Sequence, residues 1–337
     1  MITVFKPIAT RLALFLVALA ALVACGGGDS QKAAEHYFAG TEFAAAGDWQ
    51  KAIAEFDESI RLDPDAADPH ATRGAVYAEL GQFQKSIDDY NEAIRIGPET
   101  ADVYYNRAVA YGALENPSQS AEDYTRAIGL DPGNADAFFN LGFIHIQQSQ
   151  PELAIDDFSN VITINPADVE AYINRGLAYR DNGDYELAID DFDQAILFNP
   201  RDSSTYVDRG ITYDNMAQPE RAIEDFNQAI VFDPRNGLAY ANRALVLAFL
   251  KQEAEAREDA DRSIALGIDR ETLITTLELN LLHKGAAKSR CFHETVAADA
   301  ALLKPVAWCL LVNEPATQPA PPRRSTRGKH HPSPHHG

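Results

Sequence analysis

Between residues 33 and 270, small and apolar residues recur as paired helical faces, and the polar positions between them keep the same rhythm. In the stretch from Val169 to Asp202, Tyr172, Gly176 and Tyr179 fall at helical spacing, which predicts a first amphipathic helix. Asn182-Gly183-Asp184 then supplies a turn. A second face runs through Ala188, Phe192, Ala195 and Ile196 and stops before Asn199-Pro200, because proline disfavours a helical conformation at the residue preceding it. The pattern returns every 34 residues, with prolines at Pro64, Pro98, Pro132, Pro166, Pro200 and Pro234. Rings stand at His36, His70, Tyr104, Phe138, Tyr172, Tyr206 and Tyr240, and glycine or alanine follows four residues after each. The small residues let two helix backbones approach, and the rings fill the space around that contact. A single unit has nothing to bury this face against, so the units must fold as a stacked array.

These columns resemble the tetratricopeptide repeat family, the 34-residue helix-turn-helix repeats. Seven consecutive units fit, at 33–66, 67–100, 101–134, 135–168, 169–202, 203–236 and 237–270, about seven tenths of the chain. The small-aromatic-small signature of the second helix reads Ala52/Phe56/Ser59, Ser86/Tyr90/Ala93, Ser120/Tyr124/Ala127, Ala154/Phe158/Val161, Ala188/Phe192/Ala195 and Ala222/Phe226/Ala229. The resemblance implies an all-α fold: a right-handed superhelical solenoid of about seven units plus a capping helix. The seventh unit departs from the pattern, with Ala260 in place of the aromatic, Ile268 in place of the proline and no mid-unit glycine, as a terminal repeat does. Glu271 to Ser289, with Leu273, Leu277, Leu281 and Leu282, reads as the cap, followed by a short segment at 290–312.

At the N-terminus, Lys6 and Arg11 precede an apolar run from Leu12 to Val23, short for a spanning helix, that leads into Leu22-Val23-Ala24-Cys25. Residues 1–24 resemble a bacterial lipoprotein signal peptide. That resemblance implies lipid on Cys25, firm anchoring through several acyl chains, and a periplasm-facing place in the cell envelope. An uncleaved N-terminal anchor is the other reading, and it too puts the repeats outside the cytoplasmic membrane. Residues 25–32, with Gly26-Gly27-Gly28-Asp29-Ser30, read as a flexible tether. Gly26 rather than aspartate after Cys25 points by resemblance to the outer membrane, with inner and outer membrane both left open.

Charge divides the chain. Residues 33–270 carry 44 Asp+Glu against 18 Lys+Arg, a net of −26, which argues against nucleic-acid binding. The excess attracts basic partners or simply solvates long exposed helices. Asn313 to Gly337, by contrast, has four Lys+Arg, one Glu, six prolines and four histidines without apolar periodicity, and reads as a disordered tail. Its histidine pairs, His330-His331 and His335-His336, carry no fixed metal-ligand geometry, although its charge suits anionic surfaces. With Cys25 assigned to lipid, Cys291 and Cys309 remain as either a disulfide in an oxidising compartment or two free thiols.

Nothing in the sequence reads as catalytic. The acidic doublets Asp88-Asp89, Glu122-Asp123, Asp156-Asp157, Asp190-Asp191, Glu224-Asp225 and Glu258-Asp259 recur with the repeat and so hold one structural position. Zinc-hydrolase spacing, a nucleophile elbow and a phosphate-cradling loop are all missing. The reading is a non-enzyme without cofactor or metal. Arg73, Arg107, Arg175, Arg209 and Arg243 each precede a helix-B aspartate by 16 residues, which predicts an Arg–Asp contact in each unit or, alternatively, a ligand-facing row; Leu141 breaks the column. Immediately before them stand Asn106, Asn140, Asn174, Asp208 and Asn242, with Thr72 earlier. By resemblance this column faces a concave groove, where asparagine amides offer donor and acceptor to the backbone of an extended peptide. The other reading is that they solvate the inner face or bond adjacent helices. Two function classes follow: a membrane-anchored scaffold for envelope proteins, or a structural envelope protein whose basic, histidine-rich tail engages anionic polymers or metal.

Overall fold

The computed structural model describes residues 28–273 and 275. Among them are fourteen long α-helices, two to each of seven successive repeats. Repeats 1 to 3 pair α1 (Gly28–Ala45) with α2 (Trp49–Leu62), α3 (Ala67–Glu79) with α4 (Phe83–Ile96), and α5 (Ala101–Ala113) with α6 (Pro117–Leu130). Repeat 4 joins α7 (Ala135–Gln147) to α8 (Pro151–Ile164). Repeats 5 to 7 pair α9 (Val169–Asn182) with α10 (Tyr185–Phe198), α11 (Ser203–Asn215) with α12 (Pro219–Phe232), and α13 (Gly237–Phe249) with α14 (Glu253–Ala265). The first helix of each pair is helix A and the second helix B. The chain divides into two compact units within α7, the first ending at Ile144 and the second beginning at His145.

Local chemistry sets the helix ends. Asn116, Asp168, Asp202 and Asn236 accept from the backbone N–H three residues on, satisfying donors that a helix start leaves unpaired. Pro117, Pro151 and Pro219 occupy the first helical position of α6, α8 and α12, where the missing N–H costs nothing. The turn between A and B passes through a left-handed residue in every repeat. Glycine supplies it at Gly47, Gly81 and Gly183, but Glu115, Ser149, Ala217 and Lys251 adopt the same positive φ. The glycine missing from the seventh repeat is therefore replaced without a change of turn.

Helix B of repeats 1 to 6 buries its predicted small-aromatic-small face. Phe56, Phe158, Phe192 and Phe226 are fully buried, with Tyr90 and Tyr124 nearly so. Gly40, Gly176 and Gly210 lie directly under the rings of Phe56, Phe192 and Phe226. In the first unit α2 packs on α3 and α4 on α5; in the second α10 packs on α11 and α12 on α13. The A helices also meet one another, α1 with α3 and α3 with α5, then α9 with α11 and α11 with α13. A row of A-helix side chains is thus carried on neighbouring elements in each unit.

At the C-terminal end, a further helix begins after Asp269, whose carboxylate accepts from the Thr272 N–H at 2.7 Å. Leu273 is wholly buried in a cluster with Ala241, Ala244 and Ala260, the last standing where repeats 1 to 6 carry an aromatic. The start of the expected cap is therefore present, and residues 274 and 276–289 lie outside the described residues. One boundary moves. Gly28 to Lys32, read as tether, belong to α1, with Asp29 in its first turn favourably placed against the helix dipole.

Candidate functional site

The predicted Arg–Asp contact forms in each of the five repeats that carry both residues. Arg73, Arg107, Arg175, Arg209 and Arg243 each donate through Nε and Nη2 to both oxygens of Asp89, Asp123, Asp191, Asp225 and Asp259, at 2.6 to 2.8 Å. This fork-to-fork geometry is the one that a planar guanidinium favours. The third nitrogen, Nη1, reaches helix B of the preceding repeat: Asp57, Asn91, Ser159, Asp193 and Asn227 in turn. Each arginine thus fastens three helices. In repeats 3, 5 and 6 its Cζ also lies 5.3 to 5.9 Å from the centroids of two tyrosine rings, Tyr104/Tyr111, Tyr172/Tyr179 and Tyr206/Tyr213. Burial works against the Arg73 and Arg209 charges, but the carboxylate bonds prevail and hold both guanidiniums above their ordinary value.

Two repeats solve the same problem with histidine. His36 Nδ1 lies 2.6 Å from Glu55 in repeat 1. In repeat 4, where Leu141 replaces the arginine, His145 Nδ1 lies 2.7 Å from Asp157. Burial pushes the Asp157 carboxyl up to about 6, with the His145 bond opposing.

The column immediately before the arginines has no single environment. Asn140 is buried and donates to the Tyr105 hydroxyl at 3.2 Å, joining helix A of repeats 3 and 4. Tyr37 and Thr72 repeat that link between repeats 1 and 2 at 3.4 Å. Asn174 and Asn242 donate to the carbonyls of Glu170 and Leu238 on their own helices. Asp208, on the A helix between them, is 3.4 Å from Arg180 Nη1. Burial pushes its carboxyl up to about 6 against the attraction of Arg180. The second unit therefore carries Asn174, Asp208 and Asn242 on three successive A helices; Asn106 and Asn140 stand on α5 and α7 of the first. Arg180, with a side chain only 7 % exposed, was not anticipated, because no neighbouring repeat carries arginine at that position.

Cys25, Cys291 and Cys309 lie outside the described residues. Among the described residues no helix is long and apolar enough to cross a membrane, and no cluster of three metal-ligating side chains is found.

Family comparison agrees with this geometry. The models for "TPR repeat" match residues 40–81 and 74–115, and those for "Tetratricopeptide repeat" match 101–134, 135–168, 169–202 and 203–236. The matches run without a gap over more than half of the chain, which belongs to the tetratricopeptide repeat family. No curated protein sequence matches it. Among solved structures, it is similar to the C-terminal part of a TPR repeat-containing protein from Cytophaga hutchinsonii, at 16% identity and TM-score 0.60, over 72% of this chain and 99% of that one. A tetratricopeptide repeat protein from Parabacteroides merdae aligns at 21% identity and TM-score 0.51, over 74% and 99%. YrrB, described as a TPR protein with an unusual peptide-binding site, aligns at 22% identity and TM-score 0.52, over 55% and 95%. At such identities these likenesses bear on the fold, an all-α array of stacked helix pairs of the TPR-solenoid class.

Proposed function

We propose that this TPR scaffold is a non-catalytic, lipid-anchored protein of the bacterial cell envelope that binds partner proteins as extended segments along its A helices. The observation that carries the binding role is the row Asn174, Asp208 and Asn242 on three successive A helices of one compact unit. Amides and a carboxylate at this spacing offer hydrogen bonds to a peptide backbone without demanding a side-chain sequence. Two amides are oriented by bonds to their own helix, which lowers the entropy cost of presenting them. Anchoring rests on the sequence Leu22-Val23-Ala24-Cys25, and the pairing of Cys291 with Cys309 fits the same oxidising compartment.

The binding test is calorimetry on a partner captured from detergent-solubilised envelopes, with an Asn174→Ala/Asn242→Ala variant. Each lost hydrogen bond is expected to cost about 0.5 to 1.5 kcal/mol, so the double change should weaken binding in a protein of unaltered circular dichroism. Unchanged affinity rejects the groove. For the anchor, Cys25→Ser should abolish lipid labelling and leave an unprocessed precursor; retained labelling rejects lipidation there.

A further inference from the structure

We infer that a cleft on repeats 6 and 7 is the docking site of this chain's own basic tail, residues 323–337. The cleft has a volume of about 890 Å³ and is bordered by α12, α13 and α14. Its floor is Tyr240, Arg243 and Leu247, and its rim carries Glu255, Glu258 and Asp261. It marks a departure from the repeat. In repeats 3, 5 and 6 the clamping arginine lies over two tyrosine rings, whereas Arg243 lies over Tyr240 alone, and Leu247 stands where Tyr213 and Tyr179 stand in the preceding repeats. The second ring is thus missing beside Arg243.

The rim is electrostatically unbalanced. Asp259 is buried and neutralised by the two bonds from Arg243. Glu255, Glu258 and Asp261 are exposed, and Arg262 is the one other cation bordering the cleft. An occupant must therefore bring positive charge, together with planar groups for the floor. Residues 323–337 supply Arg323, Arg324, Arg327 and Lys329 without any Asp or Glu, and His330 and His331 follow directly. After the expected cap at 271–289, the 33 residues of 290–322 precede Arg323 and are long enough to return to repeats 6 and 7, since an extended chain spans about 3.3 Å per residue. Tethering makes the encounter intramolecular, at an effective concentration on the order of millimolar, so that weak pairing suffices to populate the docked state. Docking would withhold the tail's charge from anionic surfaces until salt or a competing partner released it.

The test is zero-length carbodiimide cross-linking of the full mature chain, as a mixture of unlabelled and ¹⁵N-labelled protein, followed by peptide mapping. Lys329 should couple to Glu255, Glu258 or Asp261 within one molecule, and yields should fall at least fivefold in Glu255→Gln/Glu258→Gln/Asp261→Asn. Those residues are exposed, so the variant should keep its fold. Coupling of Lys329 to carboxylates scattered over all repeats, coupling mainly between labelled and unlabelled molecules, or no coupling would each overturn the inference. As an independent reading, Arg323→Ser/Arg324→Ser/Arg327→Ser/Lys329→Ser should speed amide exchange in α14 at least threefold; identical exchange would overturn it as well.

Discussion

Replacing Arg209 by leucine tests the energetic role of the arginine column. Asp225 is 7 % exposed at its side chain, and its two oxygens accept from Arg209 at 2.8 and 2.6 Å. Leucine leaves that carboxylate buried with its main counter-charge gone, a change that typically costs about 3 to 5 kcal/mol. The third bond, to the half-exposed Asp193, adds only about 0.2 to 1 kcal/mol. Removing both partners, as Arg209→Leu/Asp225→Ala, eliminates the orphaned charge, and the double variant should recover most of the loss because an apolar replacement of a buried ion pair is often near neutral. Urea unfolding, with amide exchange in α11 and α12 as the local reading, separates the cases; a repeat array need not unfold in two states, so the exchange data decide. A single variant within about 0.5 kcal/mol of wild type, or a double variant weaker than the single, would refute the assignment of a buried, charge-compensating clamp.

Glycine positions give opposite outcomes. A Cβ at Gly176 would lie 2.9 Å from the Phe192 ring, so Gly176→Ala should destabilise by about 1 to 3 kcal/mol, whereas Gly112 meets nothing closer than Ser120 Oγ at 3.6 Å and Gly112→Ala should stabilise by up to about 1 kcal/mol; thermal melts showing the same sign for both would contradict the packing. Ala217 holds φ at +56° in the turn of repeat 6, so Ala217→Gly should raise stability by about 1 kcal/mol, and a lower melting point would show that the turn carries no strain. The Asp157 carboxyl, at about 6 in the folded protein, lies above its unfolded value, so the folded state binds the extra proton between roughly pH 4 and 6. That contribution is present at low pH and lost as pH rises through 6; Asp157→Asn should remove the slope from amide exchange in α8, and an unchanged slope would contradict it.

The repeat was legible because its signals are steric and occur seven times. Phe192 needs a small residue opposite, Gly176 provides it, and the same pair can be read in every unit but the last. The Arg–Asp contact of five repeats was legible for the same reason, as two columns 16 residues apart. Its third arm was missed although its signal is also 16 residues away: Asp57, Asn91, Ser159, Asp193 and Asn227 differ in chemistry and share only the ability to accept a hydrogen bond. Left-handed turns at Glu115, Ser149, Ala217 and Lys251 could not be read locally, because the packing of the two helices, not the residue, imposes the conformation. Asn140 shows the limit of column reasoning. It shares a column with Asn174 and Asn242 yet is spent on Tyr105, a partner 35 residues away on another helix.

The clamp also bears on the proposed binding row. Asn174, Asp208 and Asn242 directly precede Arg175, Arg209 and Arg243, so each lies about 100° around its helix from a residue fixed to three helices. An arginine held to helix B of its own repeat and of the preceding one leaves helix A little freedom to rotate about its axis. The direction in which the preceding residue projects is then set by bonds made about 100° away around the helix. The clamp does not by itself choose the partner: Asn140, beside the unclamped Leu141, bonds Tyr105 on the neighbouring A helix, and Thr72, beside the clamped Arg73, makes the same link to Tyr37. In repeats 5 to 7 the clamps hold the helices that carry the proposed row, so loosening Arg209 should displace Asp208 from Asn174 and Asn242 before any residue of the row is changed.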